Sequence, residues 1–100
     1  MKEIKWLSER IEEEIDDAED YAKSALYYKH TDGEMSRICA DLARQELNHS
    51  EILHAHAVKL IKMQRERGVE APAAMQAVWD WRHERMIEQT SKVKSLLAGL

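Results

Sequence analysis

The chain is 100 residues long, with 15 Lys and Arg against 19 Asp and Glu, a net charge of −4. That length fits one domain, residues 1–100, with enough core to fold but little margin. The negative balance gives no electrostatic support to a nucleic-acid partner. There are no phenylalanines, three glycines and one proline among 34 charged residues, which reads as an almost wholly helical protein. Cys39 stands alone, so an intrachain disulfide and a Cys-x-x-Cys metal ribbon are both excluded. The N-terminal MKEIKWLSERIEEE is too charged for a signal peptide, and no apolar run reaches the length of a membrane span. A soluble cytoplasmic protein with no membrane partner is the expectation.

The first periodic segment covers residues 3–29. Ile4, Ile11, Ile15, Ala18, Ala22 and Leu26 lie along one side. The opposite side is acidic, with eight carboxylates and one Arg between Glu9 and Asp20. Thr31-Asp32-Gly33-Glu34 then reads as a break and a capping box, with Thr31 as N-cap. A second helix is expected from Asp32 or Gly33 to about Arg67, stopped by Gly68. Its stripe at heptad spacing is Leu42, Glu46, His49, Leu53, His56, Leu60 and Met63. Pro72 suits the first turn of a third helix that runs to about Leu97, with Met75, Val78, Trp79, Arg82, Met86, Val93 and Leu97 as its stripe. Short connections make the three helices up-and-down neighbours. Three rods of ~35–50 Å leave one side open, which predicts self-association, most simply a two-fold homodimer.

The polar members of the second stripe carry the chemistry. Glu46 and His49 are three residues apart, so both side chains can reach one cation from one face. Ions in a buried stripe are costly unless something satisfies them. The pair reads either as metal ligands or as a Glu–His pair satisfied inside the core, with Glu46 bridged to an Arg. A carboxylate plus an imidazole suits iron, manganese or zinc. On the first helix Glu19, at the edge of the apolar stripe, reads either as a solvated member of the acidic face or as a companion that leans inward, with Glu12 one heptad earlier as competitor. His56 reads as a core or interface histidine, His54 as exposed and Cys39 as a small buried side chain. Asp80 and His83 repeat the carboxylate-x-x-His spacing at the margin of the third stripe, and Glu84 reads as solvated. Trp81 lies nearly opposite Trp79, as an exposed patch or a subunit contact. Arg82 falls inside the third stripe at a level where it could face Glu46 and replace a cation.

These residues resemble the ferritin-like di-iron carboxylate superfamily, which includes rubrerythrins and encapsulated ferritins. The resemblance rests on Glu19 within Ala18-Glu19-Asp20-Tyr21, followed 27 residues later by Glu46-Leu47-Asn48-His49, and covers about residues 8–66. It implies an all-α fold: a ferritin-like antiparallel helical hairpin plus a third helix, completing a bundle by oligomerisation. It also implies Glu19, Glu46 and His49 as metal ligands, iron as the metal and ferroxidase activity at a site shared between subunits. Full-length members carry the pattern twice, and this chain carries one copy, with Arg82 where a further Glu would be expected. Two copies of the chain would supply six ligands. The competing expectation is a metal-free helical assembly or interaction protein with an Arg82–carboxylate network in its core.

Overall fold

A computed structural model describes residues 2–100. The protein is all-α: α1 spans Lys2–Tyr28, α2 spans Gly33–Glu66 and α3 spans Ala73–Ala98. The molecule is a rod of 56 × 18 × 18 Å. Its length is close to that of α2 alone, since 1.5 Å per residue makes 34 residues about 51 Å. Among the described residues no helix is long and apolar enough to cross a membrane.

Four residues, 29–32, join α1 to α2. Asp32, not Thr31, is the N-cap: its carboxylate accepts from the backbone N–H of Met35 at 3.0 Å. Asp and Thr are both good caps, and the extended backbone one residue later selects Asp32. At the far end Gly68 takes φ +75°, the left-handed conformation that favours glycine. There the N–H of Gly68 donates to Arg65 and that of Val69 to Gln64, a paired closure of the helix end that satisfies two orphan carbonyls. Pro72 sits at the N-terminus of α3 as its sequence position predicts.

α1 and α2 form an antiparallel hairpin whose seam is built from small side chains. Ser8, Ile11, Ile15, Ala18, Ala22 and Ala25 are buried on α1. They meet Ser36, Cys39, Ala40, Ala43, Leu47, Ser50 and Ala57, buried on α2. The alanines concentrate near the loop, and the larger Ile11 and Ile15 lie further out beside Leu53 and Met86. Small residues let two helix backbones approach closely, so packing between main chains replaces interdigitation of large side chains. The buried hydroxyls are satisfied: Ser36 donates to the carbonyl of Ala25 at 2.7 Å and Ser50 to that of Leu47 at 2.6 Å.

This seam lies one residue over from the expected stripe on α2. Leu42, Glu46, Leu53 and Leu60 are half-buried at its margin, and His49, His56 and Met63 are exposed. His56 is therefore not a core residue, while His54, expected in solvent, is half-buried. Cys39 is buried as a free thiol, as expected.

α3 runs parallel to α1 and packs chiefly on it. Met86 joins Ile11 and Ile15, Val93 joins Ala18 and Ala22, and Leu97 reaches Ala25. Polar contacts follow the same register: Gln89 donates to Asp16 at 2.7 Å, and Lys29 donates to the carbonyl of Gly99 at 2.9 Å. Only Met86 and Val93 are buried on α3. Met75, Val78 and Trp81 are exposed, and Trp79 is half-buried.

The seam makes a direct prediction. Ala43→Leu forces a larger side chain between two close backbones and costs about 1–3 kcal/mol. In a chain this size that lowers Tm by roughly 4–8 °C per kcal/mol. Thermal unfolding followed by circular dichroism measures it, and an unchanged Tm would place the seam elsewhere.

Candidate metal centre

The seam fixes which flanking side chains meet. Ser36 and Ala25 mark one level of the hairpin. From there, eleven residues back along α1 and ten to thirteen forward along α2 reach Glu14, Glu46 and His49. These three side chains converge. Nδ1 of His49 lies 3.6 Å from a Glu14 carboxylate oxygen and 3.8 Å from a Glu46 oxygen. One ligand atom from each lies within 4.8 Å of the others, which makes this the one such group of three or more potential ligands among the described residues.

The separations exceed hydrogen-bond length, so the groups face one another without bonding directly. Three donors around one ion, each at about 2.1 Å, lie about 3.4–3.6 Å apart. The 3.6 and 3.8 Å separations from His49 are close to that spacing, and the three atoms, all within 4.8 Å of one another, would close on one ion by side-chain rotation. The donor set fits a metal of the iron, manganese or zinc kind and specifies none of them. The carboxylates are shielded, with side chains 15% exposed for Glu14 and 19% for Glu46, whereas His49 is 52% exposed. The group therefore sits on an open margin of the seam and not inside it. Arg10 lies 3.8 Å from Glu14 but is turned chiefly to Glu13 at 2.6 Å.

Glu46 and His49 are thus brought together as their spacing predicts, and the helix-one carboxylate beside them is Glu14. Glu19 is elsewhere. It pairs with Lys92 of α3 at 3.1 Å and with Lys23 at 3.2 Å, on the side of α1 that α3 covers. The hydrogen bond from Lys92 is the main cause that holds its carboxyl below the usual glutamate value. Burial opposes it, and Lys23 reinforces it. Hairpin register could have found Glu14: Glu19 is only six residues back from Ala25, more than a turn out of step with His49.

Arg82 does not face Glu46. Its guanidinium lies 3.7 Å from Glu12 and 3.3 Å from the Ser8 hydroxyl, on the α3 side of the hairpin. Two residues on a helix are about 200° apart, so Glu12 and Asp16, which meet α3, point away from Glu14. Asp80, His83 and Glu84 belong to α3 and lie outside the Glu14–Glu46–His49 group. Asp80 accepts from Gln76 at 3.0 Å.

The face that carries the group mixes charged and apolar side chains: Arg10 and Asp17 flank Glu14 along α1 and are exposed. Tyr21 follows Glu14 by one heptad, and Leu42 and Leu53 flank Glu46 and His49 along α2. Met35, Ile38 and Met63 continue the same side of α2 and are exposed.

A scan against known protein families, a search of curated proteins and a search of solved structures each returned no match. The fold and the geometry therefore carry the functional argument by themselves.

The Glu19 environment has a measurable signature. Its carboxyl titrates below the ordinary glutamate range, and Lys92→Met moves the midpoint up. The ion pair's contribution to stability is complete above about pH 4.3 and is lost as pH falls through the lower folded value. Carboxyl-resolved NMR titration reads both; a midpoint unmoved by Lys92→Met would contradict the assignment.

Proposed function

We propose that this chain is a metal-binding, ferroxidase-like protein that works as a homo-oligomer, with Glu14, Glu46 and His49 as its ligands and ferrous iron as its substrate. The observation that carries this reading is the convergence of two carboxylates and one imidazole on a hairpin face that α3 leaves open. The three helices form one ferritin-like domain over residues 1–100, in keeping with the resemblance drawn from the Glu46-Leu47-Asn48-His49 motif.

Three side chains under-supply a cation. A second copy, related by a two-fold axis across the open face, brings six such side chains to one interface, where carboxylates shared between two ions would give each ion more than the three donors one chain offers, and makes a bundle of two α1–α2 hairpins. The exposed Met35, Ile38 and Met63 support this face as the contact, because their burial would contribute at roughly 25 cal/mol per Å². Charge supports it too. Two Glu14 and two Glu46 carboxylates would bring four negative charges into one interface, and two divalent ions balance them. Without cations the carboxylates repel and oppose association.

In this arrangement Glu14 and Glu46 supply hard oxygen donors that favour the higher charge of the oxidised ion. His49 supplies a neutral nitrogen, and its exposed edge leaves a path for ions to enter. Bound ferrous iron supplies the redox chemistry, each ion giving one electron to dioxygen or peroxide.

A second reading, a metal-free helical assembly, draws on Arg82. Its guanidinium does pair with a carboxylate, that of Glu12, across α1 and α3. A protonated His49 between Glu14 and Glu46 would then satisfy both carboxylates without a metal.

One experiment separates the two. Anaerobic ferrous iron added to the wild type is expected to bind at about one ion per chain. It should raise Tm, as a ligand specific to the folded state does, by the equivalent of about 2.7 kcal/mol at a hundredfold excess over Kd. It should also shift the mass in light scattering towards a dimer. Glu14→Ala, Glu46→Ala and His49→Ala should each lose these effects, and Glu19→Ala should keep them. Full iron occupancy in all three ligand variants would rule this site out, and a wild type that binds no iron would leave the metal-free assembly as the surviving interpretation.

A further inference from the structure

The second feature of note lies on the opposite side of the hairpin, where α3 approaches α2. A groove of about 420 Å³ separates these helices, floored by Ile11, Ile15 and Met86. Two histidines close one end of it. The imidazoles of His54 on α2 and His83 on α3 are stacked, with centroids 5.1 Å apart and planes 5° from parallel. Trp79, one turn earlier on α3, continues the ladder at 6.3 Å from His83 and 6°. Nε2 of His54 is buried and has no hydrogen-bond partner.

We propose that the His54–His83 stack is an acid-sensitive latch, which holds the first half of α3 against α2 while both rings are neutral and releases it when they take up protons. Two neutral imidazoles stack as flat, weakly polar rings. Two imidazolium ions at 5.1 Å repel one another across a partly buried contact. A proton on the buried Nε2 would add a donor where no acceptor faces it.

The surroundings offer little compensation. In the groove α1 presents only Ile11 and Ile15, α2 presents the carboxylate of Glu51 one turn before His54, and α3 presents Lys94 at the far end, three turns beyond His83. Asp80, one turn before His83, already accepts from Gln76. Burial first, and the charge of His83 second, hold His54 below the ordinary histidine value. The docked state therefore binds fewer protons than the released one. The latch is fully closed above about pH 6.5 and weakens as pH falls through the lower value of docked His54.

The release is local. Val93 and Leu97 still pin the second half of α3 to α1, whereas no residue between Ala73 and Arg85 is buried. The freed segment also gives up the contacts of Arg82 to Ser8 and Glu12 and opens the His83 end of the groove, while Met86, just beyond it, stays on Ile11 and Ile15.

Trp79 is a built-in reporter. Trp6 and Trp81 are exposed, so W6F/W81F leaves Trp79 as the one tryptophan. Its fluorescence should change sigmoidally between about pH 8 and pH 5, with a midpoint below the ordinary histidine value. Amide exchange over residues 73–83, corrected for its intrinsic pH dependence, should accelerate by up to about tenfold per pH unit for each proton taken up. Both changes should be absent in His54→Leu and weakened in His83→Gln, where the burial of His54 remains, and should persist in His49→Gln, which excludes the metal group as their source. A transition that survives in His54→Leu, or a signal flat across the range in the wild type, overturns the proposal.

Discussion

Close approach of α1 and α2 along a seam of alanine and serine is the constraint from which the rest of the molecule follows. Ala18, Ala22, Ala25, Ala40 and Ala43 leave no room for the two helices to slide or rotate without clash or void. A loop of four residues, capped by Asp32, sets the level at which they meet. With rotation and level both fixed, the side chains just outside the seam have no freedom of partner. Glu14 must meet Glu46 and His49 on one side, and Glu12, Asp16 and Glu19 must meet α3 on the other.

The helices and their ends were legible in the sequence because breakers act locally. Gly68 and Pro72 end and begin helices for reasons internal to a few residues. The rotation of α2 was not legible from hydrophobicity, because that signal rewards Leu42, Leu53, Leu60 and Met63 over Ala43, Ser50 and Ala57. The hydrophobic heptad has the period of the seam but lies one residue out of phase with it. A seam of small residues hides from any scale that equates burial with greasiness. That phase puts Glu46 and His49 in the core, whereas the level at which the helices face one another brings Glu19 to Lys92 and Arg82 to Glu12. Each of these depends on register, which is a property of the pair of helices and not of either one.

That one-residue shift changes the energetics of the candidate centre. Ions inside a helical seam cost several kcal/mol each unless compensated. At the margin, with His49 half in water, the three groups are tolerable in a single chain without any cation. The demand for compensation arises when the face is covered. Covering it with a second copy withdraws water from four carboxylates at once, so the argument for a metal becomes an argument about assembly.

The hairpin thus separates two kinds of chemistry by geometry alone. Glu14 points about 200° around α1 from the residues that hold α3, so events at the His54–His83 stack and at the carboxylate group need not disturb one another directly. What they share is the seam between them. Ile11 and Ile15 are buried in that seam and also floor the groove that α3 covers. When the first half of α3 lifts, the groove that these two floor opens at its His83 end. Coupling between acid release of α3 and the open face opposite would run through the packing of Ile11 and Ile15, with Leu53 of α2 packed against the same cluster.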